Sequence, residues 1–226
     1  FMDYLKKTKD PRIHVYCSLK DGNTEFDKQF GLPNGYDSHT IADAPSGSFV
    51  GLENTSNFNI NTILRLDAPT IFLMPSETKL LLAEAVLRNW TNGNAEVLYK
   101  EAITSSMKEQ EIAYGTQGKI TDEEIETYLA QNLFSTANNT EKLQIIGEQY
   151  WVATFINGYE SYANWRRTGY PKLIPTNYSG SMSPGVIPTR LPYPTDEYSI
   201  NRANVDTANQ QQGADKVTTH IWWDID

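Results

Sequence analysis

Residues able to do chemistry are few in this chain and widely scattered. The three histidines, His14, His39 and His220, stand alone in sequence, with nothing to group them as metal ligands. "DGNTEFD" sets Asp21, Asn23, Glu25 and Asp27 at alternate positions, as a calcium loop begins, but Phe26 occupies the sixth loop position, where the turn demands glycine. No metal ion and no cofactor is expected. A G-x-S-x-G elbow, a phosphate-cradling G-x-x-x-x-G-K, a G-x-G-x-x-G and an H-E-x-x-H helix are all missing. The 28 aspartates and glutamates leave a glycosidase pair open, because that chemistry needs two carboxyl groups at the right separation in space, on which sequence spacing is silent. No catalytic residue is assigned.

Binding has better candidates. Tyr36, Phe49 and Phe58 lie among Asn, Asp and Ser in turn-rich sequence. Flat rings there can stack on sugar faces while amides and carboxylates bond hydroxyls; the alternative is that the rings pin the loops to the scaffold. A second cluster is "NWRRTGYPKL", with Trp165, Arg166, Arg167, Gly169 and Pro171. Its first reading is a helix stop: two cations in the last turn meet unpaired carbonyls, glycine takes the left-handed position beyond, and proline follows. Trp165 and Tyr170 could stack on either guanidinium. An anion site is the alternative.

Helices must position these groups. "SETKLLLAEAVLRNW" predicts a helix over 76–90, with Leu80, Ala83, Ala85, Val86, Leu87 and Trp90 near the inner stripe and Glu77, Lys79, Glu84 and Arg88 mostly outside. After the turn "TNGN", Ala95, Leu98, Tyr99, Ala102, Ile103 and Met107 continue at helical spacing, so the two rods pair antiparallel. Their small-to-large rhythm, Ala83 against Ala95, Tyr99 and Ala102, resembles a tetratricopeptide hairpin. Thr121 and Glu124 predict a capping box opening a third helix that ends between 130 and 134. One long helix is expected over 140–167, capped by Asn139. A short helix over 1–7 must stop before Pro11.

The expected fold is all-α: tetratricopeptide-like hairpins, an alpha-alpha superhelix, with long irregular loops. It forms a single domain over 1–226, divided into a loop-rich 1–70, a helical core over 71–170 and an irregular covering segment over 171–226. In the last, "KVTTHIWWDID" reads as an edge strand or an anchoring tail that shelters Trp222 and Trp223.

Bulk properties exclude some partners. The formal charge of −9, from 19 basic and 28 acidic residues, repels phosphate backbones, so no nucleic acid partner is expected. Cys17 is the single cysteine, which excludes an internal disulfide and a cysteine-built zinc site. No apolar run reaches the roughly 18–20 residues of a membrane span. The chain opens without a signal-peptide pattern, so any export signal is expected to have been removed or to lie outside it. Aromatic residues make up 12% of the sequence, while mean hydropathy is −0.52, a pairing that suits sugar or protein binding as well as a tyrosine-rich core.

The segments carrying Glu160, Trp165, Arg166, Arg167, Thr168, Gly169, Tyr170 and Pro171, then Arg190, Pro192, Tyr193, Pro194, Glu197, Asn201 and Asn204, then Trp222, Trp223 and Asp224, resemble the C-terminal part of the SusD/RagB family. "DPRI" at 10–13 is similar to that family's D-P-R element. The resemblance implies a helical superhelix that binds glycans or other nutrients at the surface of the bacterial outer membrane in Bacteroidota. It also implies an N-terminal lipid anchor absent from this chain, a ligand-facing region in 1–70, and delivery of ligand to a SusC-like TonB-dependent transporter. The family's lipidated cysteine follows a signal peptide, so Cys17 is not that anchor, and the N-terminal helical half is expected outside this chain. The expected function is non-catalytic nutrient binding, with oligosaccharides as the leading ligand class. A glycan-acting hydrolase and a protein-only scaffold are the alternatives.

Overall fold

A computed structural model describes residues 1–36, 39–44, 49–177 and 181–224. Five helices form the scaffold: α1 (Met2–Thr8), α3 (Pro75–Leu87), α4 (Ala95–Tyr114), α6 (Asn139–Ala153) and α7 (Gly158–Thr168). Four further helices are described around them: α2 (Ile13–Tyr16), α5 (Asp122–Gln131), α8 (Thr195–Ile200) and α9 (Arg202–Gln212). A two-stranded antiparallel ribbon, β1 (Cys17–Ser18) with β2 (Asn57–Phe58), pairs Cys17 with Phe58.

The α3–α4 hairpin forms as its alanine pattern requires. Leu80 and Ala83 meet Tyr99, Ala102, Ile103 and Met107 in a fully buried core, and the Tyr99 ring stacks on Phe134 at 4.5 Å. Each large apolar side chain so buried contributes about 1.5–3 kcal/mol. Pro75 opens α3, and the Glu77 side chain accepts the Met74 N–H at 2.9 Å. Asn94 caps α4, and Thr121 with Glu124 closes a reciprocal box on α5.

Several expectations give way. α3 stops at Leu87, Asn89 turns left-handed, and Trp90 is exposed against Arg88, outside the core stripe. Glu77 and Glu84, expected outside, are buried. The long helix of 140–167 is two: α6 is capped by Asn138, and α7 restarts at Gly158 with Asn157 as its cap. Asn and Gly in succession favour a cap over continuation. At the same point the Thr154 hydroxyl bonds the Tyr150 carbonyl at 2.7 Å. The break swings Phe155 out to stack on Phe1 at 4.1 Å and to meet Tyr16 and Phe58.

The segment beyond 171 is less irregular than its composition suggests, since α8 and α9 lie within it. Val205 is the buried residue of α9, too little apolar period to read from sequence. The terminal stretch through Asp224 makes turns and no strand, and Trp222 stays exposed. Among the described residues no helix is long and apolar enough to cross a membrane.

Candidate functional site

Beyond α1, the described residues from Asp10 to Leu64 lie as a loop layer on the helical scaffold, and one buried polar centre attaches them. Arg12 is fully buried, as is Asp10. The Asp10 carboxylate accepts from the Arg12 Nε at 2.9 Å and from its backbone N–H at 3.0 Å. The guanidinium also donates to Ser106 Oγ of α4 at 2.9 Å and to Gln149 Oε1 of α6 at 2.6 Å. Gln149 in turn donates to the Tyr4 and Tyr128 hydroxyls at 3.0 and 2.7 Å, closing the network onto α1 and α5. Burial alone would lower the basicity of Arg12; the adjacent carboxylate outweighs it and keeps the group charged.

Amide side chains then shape the loops. Asn59 donates to the His14 carbonyl at 2.8 Å and Thr62 to the Val15 carbonyl at 2.5 Å. Gln29, also buried, donates to the Asn23 carbonyl at 3.0 Å and accepts from the Ser56 hydroxyl at 2.7 Å. Two aromatic rings emerge beside this seam. Phe58 is half exposed on β2 and packs tilted against Phe155, 5.6 Å between ring centres. Phe30 is part exposed next to Ser56, with the Lys6 ammonium 4.0 Å from its ring centre. Phe30 is not among the rings singled out from the sequence, although the glycine and proline of "KQFGLP" mark it as a loop residue.

Tyr36 and Phe49 are half-buried and, among the described residues, make no ring-to-ring contact. Gly35 has φ +81° and lies so close to Thr176 that a β-carbon there would fall 2.6 Å from it, which places the Tyr36 turn against the covering segment. The structure thus brings Phe30 and Phe58 to one seam and places Tyr36 at another.

The "DGNTEFD" carboxylates are used locally: Asp21 accepts the Asn23 N–H at 2.9 Å, and Glu25 pairs with Lys28 at 3.0 Å. His14 faces the Lys119 carbonyl and His220 faces Asp224. Cys17 is buried against Met2, and burial pushes its thiol up to about 12.

The "NWRRTGYPKL" cluster closes α7. Gly169 is left-handed at φ 69°, and its N–H donates to the Trp165 carbonyl at 2.7 Å. Arg167 forks onto both Glu84 oxygens at 2.7 Å each and also reaches Asn164 at 2.8 Å. Burial by itself would raise the Glu84 carboxyl; Arg167 and Arg88 outweigh it and hold it below the usual range. Arg166 lies between the Tyr162 and Trp223 rings, not against Trp165 or Tyr170 as sequence proximity suggested. Pro171 follows a cis bond from Tyr170. Farther on, Arg190 and Asp215 form a buried pair at 2.7 Å, on which the Tyr198 hydroxyl also bonds at 2.6 Å.

A family model for SusD-like proteins, described as Susd and RagB outer membrane lipoproteins, matches residues 1–224. The chain belongs to the SusD-like family. Among solved structures it is similar to a chitin-binding protein, at 30% identity and TM-score 0.77, over 100% of this chain and 49% of that one. It is also similar to a SusD-like protein of Bacteroidetes AC2a, at 25% identity and TM-score 0.79, over 100% and 53%. A SusD homologue from Bacteroides fragilis gives 26% identity and TM-score 0.78, over 99% and 51%. No curated protein matches the chain. The chain spans about half the length of these structures, and their helical, tetratricopeptide-like architecture is its own. In this SusD-like chain the D-P-R element, the double arginine and the R-L-P-Y-P segment are each a packing centre: Arg12 to Asp10, Arg167 to Glu84 and Arg190 to Asp215.

Proposed function

We propose that this chain is part of a non-catalytic, surface-exposed nutrient-binding protein that takes up oligosaccharide and passes it to a SusC-like TonB-dependent transporter in the outer membrane. The observation that carries the reading is the family match over nearly the whole chain, joined to 30% identity with a protein named for chitin binding. The loop layer supports it, because it exposes the Phe58 and Phe30 rings together with the polar Asn57 and Glu53, on a frame held by buried amides. Tyr36 and Phe49 extend the proposed ligand surface.

The hydrolase alternative is weaker on this geometry. Burial, with Glu160 and Glu109 nearby, raises the Glu77 carboxyl, as a general acid would need. Yet Glu77 faces a cavity of about 10 Å³ shared with Tyr16, Glu109 and Thr154, room for one water and not for a sugar ring.

Calorimetric titration with chitin oligosaccharides and a panel of other glycans tests the binding. Phe58→Ala should weaken the affinity about tenfold, in line with the loss of one stacking platform. Heat from no member of the panel, or unchanged affinity in Phe58→Ala, Tyr36→Ala and Phe49→Ala alike, would remove this surface from consideration. Product formed on prolonged incubation would overturn the non-catalytic assignment, and co-purification with the transporter tests the handover.

A further inference from the structure

Where α3 begins, two carboxylates are enclosed. Glu77 is 3% exposed and Glu109 4%, and among the described residues neither forms an ion pair: Arg88 and Arg167 go to Glu84, Arg12 to Asp10 and Lys79 to Glu101. Carboxylates buried this deeply are ordinarily paired or hold a cation. Glu109 is well supplied with donors, accepting the Ser76 N–H at 2.9 Å, the Ser76 hydroxyl at 2.6 Å and the Ser105 hydroxyl at 2.9 Å. Glu77 is not: its Oε1 accepts the Met74 N–H, while Oε2 is enclosed without a partner. The Tyr150 hydroxyl lies near it but gives its proton to Glu160 at 2.7 Å, a third carboxylate within electrostatic reach. Burial, Glu160 and Glu109 together raise the Glu77 carboxyl, as they do where positive charge is wanting.

A cavity of about 10 Å³ lies against these groups. Tyr16 bounds it from the loop layer, Glu77 from α3, Glu109 and Gln110 from α4, and Ala153 and Thr154 from the end of α6. The Gln110 amide nitrogen is committed to the Ser106 carbonyl at 2.9 Å, which leaves its oxygen for another use. The end of a helix turns unpaired carbonyls and partial negative charge outward. The positive end of α3 is already met by the two carboxylates, through Met74 and Ser76. We propose that this cavity binds one dehydrated monovalent cation the size of sodium, with Glu77 Oε2 as its charged ligand and neutral oxygens of α4 and α6 around it. Volume sets the size, since the space takes a species no larger than one water. Charge favours an ion over a water, which would leave the buried carboxylate uncompensated. Ligand count sets the class: calcium takes about six to eight oxygens, several from carboxylates, and among the described residues no three His, Cys, Asp or Glu side chains are grouped to hold a metal. The ion would join three scaffold helices to the loop layer, and the inference stands whether or not that layer binds sugar.

Thermal unfolding in sodium chloride and in choline chloride at equal ionic strength reads the site, because choline is too large to enter. A site filled about tenfold above its dissociation constant should raise the midpoint in sodium by about 3–6 °C. Glu77→Gln keeps an oxygen for the Met74 N–H and removes the charge, so it should match or exceed the unaltered chain in choline and gain nothing from sodium. Equal midpoints of the unaltered chain in the two salts overturn the proposal, as does a sodium-dependent rise that Glu77→Gln retains. Stabilisation by calcium with none by sodium overturns the monovalent class. Crystals of the unaltered chain grown in sodium chloride decide the matter without a variant. Oxygen neighbours of the cavity occupant closer than about 2.5 Å mark an ion, whereas neighbours at about 2.8 Å mark a water and overturn the proposal, as does an empty cavity.

Discussion

Arg12 and Arg167 both hold two parts of the molecule together through a carboxylate, but they do so in different surroundings. Arg12 is wholly enclosed, and its charge is met by Asp10, Ser106 and Gln149 with no help from solvent. The Arg167 side chain is 39% exposed while its partner Glu84 is 5% exposed, so water shares in solvating the cation but not the anion. The enclosed pair fixes the loop layer on the scaffold; the open pair fastens one helix end to another. A buried pair is costly to break from either side, whereas a half-open one fails mainly when the buried anion is stranded.

The largest effect that sharpens this contrast is expected at the enclosed site. Arg12→Ala should destabilise by about 3–5 kcal/mol, because it leaves Asp10 buried and uncompensated. Urea unfolding measures it. Asp10→Asn combined with Arg12→Met should recover much of the loss, since both charges go together; a double variant as unstable as the single one would mean that Ser106 and Gln149, not the ion pair, carry the attachment.

The difference between the two arginines also marks what the sequence could reveal. The Thr121–Glu124 box lies within four consecutive residues and is visible at once, as is the stop at Gly169, because both are local backbone chemistry. Arg167 and Glu84 are 83 positions apart, and nothing in "LLLAEAVL" says that its glutamate faces inward. Helical periodicity placed Glu84 outside, and cationic partners distant in sequence and one turn away overrode it. The α6–α7 break was missed for a related reason: the apolar stripe continues through Phe155, while Asn157 and Gly158 interrupt only the backbone. For the proposed ligand surface, composition singled out Phe58 as a loop ring but could not reveal that strand β2 carries it and sets it near Phe155, nor that Gln29 and Ser56 bring Phe30 to the same seam.

At the open site the expected effect is smaller and depends on pH. Arg167→Ala should cost about 1–2 kcal/mol, because Arg88 stays bonded to Glu84 at 2.7 Å and water shares the load. The Glu84 carboxyl is held below its ordinary 4.5, so its contribution is complete above that pH and is lost as pH falls through the lower folded value. Glu84→Gln should therefore flatten the acid side of the stability–pH curve. An unaltered acid limb would show that other carboxylates govern it and that the fork adds geometry without energy.

The smallest effect separates the helix end from the ion pair beside it. A β-carbon on Gly169 would meet only the Lys172 Nζ at 3.4 Å, the end of a flexible side chain, so Gly169→Ala costs nothing in packing. What remains is the left-handed backbone at φ 69°, which disfavours alanine by about 1 kcal/mol and asparagine by less. Stability should thus fall in the order Gly, Asn, Ala, measured by thermal unfolding. If all three are equal, the chain direction after α7 is set by Arg167 on Glu84 and by the Thr168 hydroxyl on the Asn164 carbonyl at 2.8 Å, and the glycine is merely permitted there. If the order holds and persists in the Arg167→Ala background, the two devices act independently, as expected for one that biases local backbone and another that bridges elements distant in sequence.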